Sequence, residues 1–425
     1  MTRPTRPWVA EEETGQQQGA TDPGLWRIIG PFGVSFLADG LATVMLPLLA
    51  LNATRAPIAV GLVAFCRSAP WAFFAPFAGV LVDYWDRRRV LVLASAVRCA
   101  VLVCVAAMLA SGAVGLSAVI VTALVLGICE VAYDTAAQTV MPSVMPGDRL
   151  NRANARLSAV ETVSAQFAGP ALAGILAALA LTPLTLSTAL VYAAALFLVR
   201  GLRIPRQDAP SGAKVLPAIR EGFRFLWDHR ALRTLTWATA LGATAFAGWF
   251  AQFALYAVTP GPMGLATREF GLILAVSAAG SLAAALAVPL LHRVIAARFL
   301  LPIAIVFIAT GMLLPVCVPG AVAAAAGLAL YGAAVVVWNV ITVTYRQQQV
   351  PDRLLGRVTA AYRTLAWGAA PLGALAGGVV GQYFGVRTSL VVFGLMPLFQ
   401  IPALLLLPLG RAEQQPAPAP DDATL

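Results

Sequence analysis

Twelve apolar runs divide this chain of 425 residues: 27–51, 58–82, 90–110, 115–141, 157–180, 184–200, 234–258, 270–291, 299–317, 321–344, 361–383 and 388–409. About 20 apolar residues in helical form cross the ~30 Å hydrocarbon core of a bilayer. Inside lipid a helix satisfies its own backbone polar groups, which an open strand cannot do. The pattern therefore predicts an all-α integral membrane protein with twelve transmembrane helices. A water-soluble globule is excluded, because 60% of the residues are apolar and only 11% are charged, against about 25% charged in a soluble domain. Proline and glycine interrupt many of the runs, which membrane helices tolerate where neighbours satisfy the freed backbone groups.

The net charge of +10 could point to nucleic acid. The placement of the arginines argues against that partner. Of 29 basic residues, 23 fall on one side of the predicted spans, three on the other and three within spans. Such an excess marks the cytoplasmic side, where basic side chains also meet anionic membrane lipids. Arg87, Arg88 and Arg89 lie in the sharpest of these turns, so both termini are expected in the cytoplasm and the protein in the plasma membrane. Residues 1–26 and 411–425 read as disordered cytoplasmic tails. The first 23 residues are polar, with Glu11, Glu12 and Glu13, and hold no apolar signal-peptide core.

The one long interior break, 201–233, separates a bundle over 27–200 from a second over 234–410. Within the break, Phe223, Leu226 and Trp227 recur at helical spacing among charges, predicting an amphipathic helix on the inner surface. Arg149, Leu150, Gly169 and Gly174 recur 204 positions later as Arg353, Leu354, Gly373 and Gly378. That weak repeat supports duplicated six-helix bundles. The five cysteines all lie inside apolar runs and none has metal-ligand spacing, so no metal or cofactor is expected. Lysine occurs once against 28 arginines, which hints at a GC-rich bacterial genome.

Gly79, Asp83 and Arg87-Arg88-Arg89, set between two spanning runs, resemble the signature loop between helices 2 and 3 of major facilitator superfamily transporters. Phe36–Gly40, Ala132–Gln138, Val337–Asn339 and Val350–Val358 resemble its bacterial branch of enterobactin-exporter-like and macrolide-efflux-like members. Two departures stand out. The second copy of the loop is reduced to His292-Arg293 with Arg298. Gly169-Pro170-Ala171-Leu172-Ala173-Gly174 carries Ala173 where the antiporter motif has glycine. The resemblance implies a monomeric carrier of small organic molecules with the major facilitator fold, no enzymatic activity, and alternating access. It also implies a conformational latch formed by Gly79, Asp83 and Arg87–Arg89, and a central cavity lined by the first, fourth, seventh and tenth spans.

Charged groups at bilayer depth are costly and point to function. At 1.5 Å per residue, Asp39, Arg98 and Glu130 lie roughly 14–18 Å in from the cytoplasmic ends of their spans, and Arg67 about 24 Å from Asp83. Two acids and two bases at similar depth suggest mutual neutralisation. Ser35, Asp39 and Thr43 share one face of the first span, and Glu130, Asp134 and Gln138 one face of the fourth. Gln252 and Tyr256 on the seventh, with Asn339, Thr342 and Arg346 on the tenth, are the further cavity-lining candidates. The second bundle has no mid-depth acid, so a proton site would belong to the first.

Burial raises a carboxyl's pKa and a nearby arginine lowers it. An acid poised between these effects can load and release protons as the cavity opens to alternate sides. Asp39 is the first candidate and Glu130 the second, with Arg67 or Arg98 as partner. A bulky organic cation or amphiphile would then displace the proton. A permanent structural pair of Asp39 with Arg67 fits the sequence too, as does a structural Arg98. Glu161 reads as pairing with Arg156 at the start of its helix. Gly169, Pro170, Gly174, Gly373 and Gly377 read as helix-packing positions. An uncoupled facilitator or importer of the same fold is the nearest rival. An integral-membrane enzyme is poorly supported, since His229 and His292 are the only histidines and no nucleophile motif occurs.

Overall fold

The protein was analysed as a computed structural model, which describes residues 23–74, 85–144, 149–202, 215–294 and 297–407. Before the central break lie α1 (Pro23–Ala53), α2 (Pro57–Phe73), α3 (Arg87–Ala110), α4 (Leu116–Val144), α5 (Arg149–Glu161), a π-helical segment (Thr162–Ala168), α6 (Gly169–Ala177) and α7 (Leu181–Arg200). Then come α8 (Val215–Asp228), α9 (Arg230–Ala257), α10 (Thr267–Val294), α11 (Ala297–Cys317) and α12 (Ala321–Gln349). The last are α13 (Asp352–Gly368), α14 (Ala370–Phe384), α15 (Val386–Leu395), a 3-10 turn (Met396–Gln400) and α16 (Ile401–Leu405).

Among the described residues nine helical stretches are long and apolar enough to cross a membrane. The other expected runs fall on the shorter α2, on α5–α6 with its π segment, and on α10. The π segment has a local cause. Pro170 has no N–H and its ring crowds the carbonyl one turn back. The chain widens there, so the Gly169 N–H reaches the Ser164 carbonyl five residues earlier.

The arginine-rich turn shows how sequence and topology compete. Arg87–Arg89 open α3, where positive charge opposes the helix dipole. Asp86 compensates as N-cap, its carboxylate accepting the Arg88 N–H at 2.9 Å. The Arg88 guanidinium donates in turn to the Arg200 carbonyl at the end of α7. Gly79 and Asp83 lie outside the described residues.

Helix α8 carries the predicted amphipathic pattern, and its apolar face is spent largely on protein. Leu226 packs with Leu354, Val358 and Ala361 of α13, and Glu221 pairs with Arg357. Trp227 and Arg224 stay exposed, Trp227 edge-on to Trp237 of α9.

Helices α1–α7 meet the later helices mainly along two seams, α2 on α14 and α6 on α10. Both seams are built from facing glycines. A side chain on Gly174 would strike the Gly271 carbonyl, and one on Gly61 would sit 2.9 Å from the Gly378 Cα. Without a hydrophobic drive between helices in lipid, such close backbone approach supplies the association. Polar ties staple the same end: Arg55 Nη2 donates to the Thr259 carbonyl at 2.7 Å, and Gln252 Nε2 to the Pro57 carbonyl at 3.1 Å. This end lies opposite the Arg87–Arg89 turn. Gly271→Leu is therefore expected to part the α6–α10 seam. A cysteine placed at position 252 should then react several-fold faster with a membrane-impermeant maleimide; unchanged labelling would show that the seam is not what keeps this end shut.

Candidate functional site

The most enclosed charges lie within the first group of helices. Asp39 of α1 is 6% exposed and Arg98 of α3 is 0% exposed. One carboxylate oxygen, Asp39 Oδ1, accepts from Arg98 Nη1 at 2.8 Å and from the Tyr192 hydroxyl at 2.7 Å. The other oxygen, Oδ2, is buried and has no hydrogen-bond partner. Arg98 Nη2 donates to Ser35 Oγ at 3.0 Å, and its Nε to the Ala94 carbonyl. The guanidinium lies 4.7 Å from the Tyr133 ring centre and 4.5 Å from that of Tyr192, within cation–π range. Four helices, α1, α3, α4 and α7, thus hold one carboxylate and one guanidinium.

The arrangement is asymmetric in a chemically useful way. An arginine stays protonated, so Asp39 is the member of the pair that can change charge. Its bare Oδ2 is the atom where a proton would add without displacing an existing donor. Just beyond, Gly40 touches the π segment: a side chain there would meet the Ala165 carbonyl at 2.7 Å and the Gly169 Cα at 2.9 Å. The irregular part of α5–α6 therefore packs directly beside the acid.

The other two mid-depth charges pair with each other. Arg67 of α2 contacts Glu130 of α4, both mostly buried. This corrects one expectation: Arg67 is not the partner of Asp39, because α2 sets it against α4 whereas α3 brings Arg98 to α1.

A third cluster joins the two groups of helices. Arg363 of α13 donates to Glu161 at the end of α5 at 2.7 Å and lies 3.9 Å from Asp134 Oδ2 of α4. Its guanidinium is 5.4 Å from the Trp71 ring of α2. Asp134 is 5% exposed, and its Oδ1 has no partner. Glu161, expected to pair with Arg156, instead reaches across to Arg363. Two acids of one helix group and one base of the other meet here.

Of the other cavity-lining candidates, Thr43 and Gln138 are exposed and Asn339 is half-buried. Thr43 and Thr342 return their hydroxyls to carbonyls one turn back. Gln252 and Tyr256 are buried, and Gln252 is engaged in the staple to Pro57. Arg346 is buried against Tyr362. Among the packing glycines, Gly169 meets Gly40, Gly174 meets Gly271, Gly373 meets the Thr244 carbonyl and Gly377 meets Gly248. Sequence reasoning missed Tyr192, one of four hydroxyl side chains in its span, and the role of Arg363. The signals for Arg363 were its place within a predicted span and the repeat, which aligns the α13 span with the α5 span that carries Glu161.

Known proteins point the same way. The family model described as Major Facilitator Superfamily matches residues 32–374. The multidrug efflux pump Tap of Mycobacterium tuberculosis (strain ATCC 25618 / H37Rv) is 28% identical over 374 residues, covering 84% of this chain and 87% of that protein. Tap of Mycolicibacterium fortuitum is 26% identical over 376 residues, covering 84% and 89%. Among solved structures, the nucleoside transporter NupG superposes with a TM-score of 0.66 at 14% identity, covering 89% of this chain and 98% of NupG. A bacterial homolog of the lysosomal transporter Spinster, in an inward-facing unoccupied conformation, gives 0.62 at 14% identity, covering 90% and 95%. These two structures share the fold at identities too low to carry more. With a family model matched across most of its length, helices that suit a bilayer and relatives that are transporters and not enzymes, this chain belongs to the major facilitator superfamily.

Proposed function

We propose that the protein is a proton-coupled exporter of a small organic molecule, such as a drug, antibiotic, siderophore or similar metabolite, working by alternating access. In this reading it lies in the plasma membrane as a monomer, with twelve spans in two six-helix bundles, 27–200 and 234–410. Loop 201–233 and both termini face the cytoplasm. The exporting direction is supported by the relatives described as multidrug efflux pumps.

The observation that carries the coupling is Asp39: a buried carboxylate with two donors on one oxygen and none on the other. With Asp39 ionised, Arg98 and Tyr192 hold it and the pair is neutral overall. Adding a proton to Oδ2 weakens the ion pair and frees Arg98 to relax. Because Asp39 adjoins Gly40 and the π segment, that relaxation has a direct route into α5–α6 and hence to the α6–α10 seam. Glu130 with Arg67 is the second candidate for the proton. The Arg363 cluster then ties the bundles on the cytoplasmic side of the Gly61 and Gly174 seams, and Asp83 with Arg87–Arg89 acts as the latch.

A growth-inhibition panel in an efflux-deficient host tests the reading. Expression should raise tolerance to at least one amphiphilic compound several-fold, and a proton uncoupler should erase the gain. Tolerance that survives full uncoupling would remove proton coupling from the account.

A further inference from the structure

The charges described so far come in contacting sets, and one buried cation stands apart. Arg346 lies near the end of α12, where an arginine ordinarily extends to water. Instead it is 9% exposed. Its guanidinium carbon lies 4.1 Å from the Tyr362 ring centre on α13, and the Tyr362 hydroxyl is tied to Thr239 Oγ1 of α9 at 2.8 Å. Tyr362, itself braced on α9, therefore covers it.

Two of its nitrogens, Nε and Nη1, are buried and have no hydrogen-bond partner. Together they leave three N–H donors unsatisfied. No carboxylate among the described residues pairs with Arg346. The Tyr362 side chain hydrogen-bonds to the guanidinium, and the charged side chain that acts on it is a second arginine, Arg363, which repels it. Arg363 itself is drawn off toward Glu161 and Asp134. A permanently charged group enclosed in this way, with donors bare and a like charge nearby, is held at a cost unless an anion joins it. Tyr362 covers one face of the guanidinium, so the donors at its edge are what an incoming group would meet.

We infer that Arg346, backed by Tyr362, forms an anion-binding subsite of the cargo site, so that the transported molecule carries a carboxylate, phosphate or phenolate group. This inference rests on the transporter reading and narrows it. Asn339, Thr342 and Arg346 follow one another along one side of α12, and Tyr362 is next in sequence to Arg363, which touches the opposite bundle. The anionic end of the cargo would dock on Arg346 while its apolar body lies along α12 and α13. A planar carboxylate or phosphate suits a guanidinium better than a neutral carbonyl does, because charge-assisted bonds are roughly twice as strong.

The test is a binding measurement on the purified full chain in phosphatidylcholine nanodiscs, with no pH gradient, read as the shift in thermal unfolding midpoint. The probes are benzoate against benzamide, 2-naphthoate against 2-naphthamide, and inorganic phosphate. At least one carboxylate probe should stabilise the protein where its neutral analogue does not. Its half-saturating concentration should rise about 10-fold or more in Arg346→Gln, as expected for one lost charge-assisted contact. Arg346→Lys should recover part of the loss. Should Arg346→Gln fail to fold, Tyr362→Leu, which keeps the guanidinium and removes its aromatic face, should weaken the same probe several-fold. Stabilisation by phosphate alone would assign the site to a free inorganic ion and overturn the cargo role. An effect seen only when phosphatidylglycerol replaces phosphatidylcholine would assign it to a lipid headgroup, with the same consequence. Equal response to charged and neutral probes, or to none, would overturn the inference outright. Loss of proton coupling in transport assays would leave this binding result standing, so the two readings fail separately.

Discussion

Asp39→Asn is expected to reduce gradient-driven transport to the level of empty vesicles while downhill exchange of the same compound persists. The geometry makes this substitution unusually clean. Asparagine has the shape of aspartate, and its amide oxygen can still accept from Arg98 Nη1 and the Tyr192 hydroxyl, now 2.8 and 2.7 Å from Oδ1. The variant lacks a group that takes up and releases a proton. A carrier whose coupling rests on Asp39 becomes a passive exchanger, whereas a carrier in which Asp39 merely braces α1 against α3 keeps its uphill transport. Vesicles loaded with a fluorescent substrate and subjected to a pH step distinguish these outcomes. Accumulation in Asp39→Asn equal to that of the parent protein would exclude Asp39 as the coupling acid and move the search to Glu130.

The second large effect is on stability. Arg98→Leu leaves the Asp39 carboxylate with a single hydroxyl donor at bilayer depth. Removing one partner of a buried ion pair costs about 3–5 kcal/mol, because the remaining charge is uncompensated. The variant should unfold well below the parent protein in a thermal scan or fail to accumulate in the membrane. Combining Arg98→Leu with Asp39→Asn removes the stranded charge and should restore much of the loss, since a buried pair replaced on both sides is often close to neutral. A double variant no more stable than Arg98→Leu alone would show that Arg98 acts through packing on Tyr133 and Tyr192 and not through its charge.

Much of the fold could be read from the residues before any coordinates. Run length predicted the nine stretches that, among the described residues, are long and apolar enough to cross a membrane, and the spacing of Phe223, Leu226 and Trp227 predicted α8. Helical periodicity placed Ser35 and Asp39 on one face, and both indeed meet Arg98. Depth along a helix follows from counting residues, so the mid-membrane charges were visible as a set. Which of them touch was not, because pairing depends on how neighbouring helices are rotated about their axes. Arg67 and Arg98 were therefore interchangeable on paper and are distinct in space. Tyr192 was hidden for the same reason. The π segment follows from Pro170, yet proline in a membrane helix is common enough that its consequence had to be seen. Gln252 illustrates the reverse case: its spacing suggested a cavity face, and the structure shows it engaged with the Pro57 carbonyl across a seam.

The Arg363 cluster fits the repeat read from the sequence. Glu161 and Arg363 lie 202 positions apart, close to the repeat of 204 that relates α5 to α13. The two helices that this repeat relates thus face each other and carry opposite charges. Alternating access requires contacts between bundles that can be made and broken, and a single base held by two acids meets that need within this account.

The central claim is that inward proton movement drives cargo outward through a site inside the first bundle. The most direct measurement is of protons during transport. Vesicles with the reconstituted protein and an internal pH dye would be given an outward gradient of a compound to which the protein confers tolerance, with no imposed pH difference. The account predicts that cargo leaving the lumen is matched by protons entering it, seen as acidification that vanishes in Asp39→Asn. Cargo efflux at the full rate with no change in internal pH would contradict it.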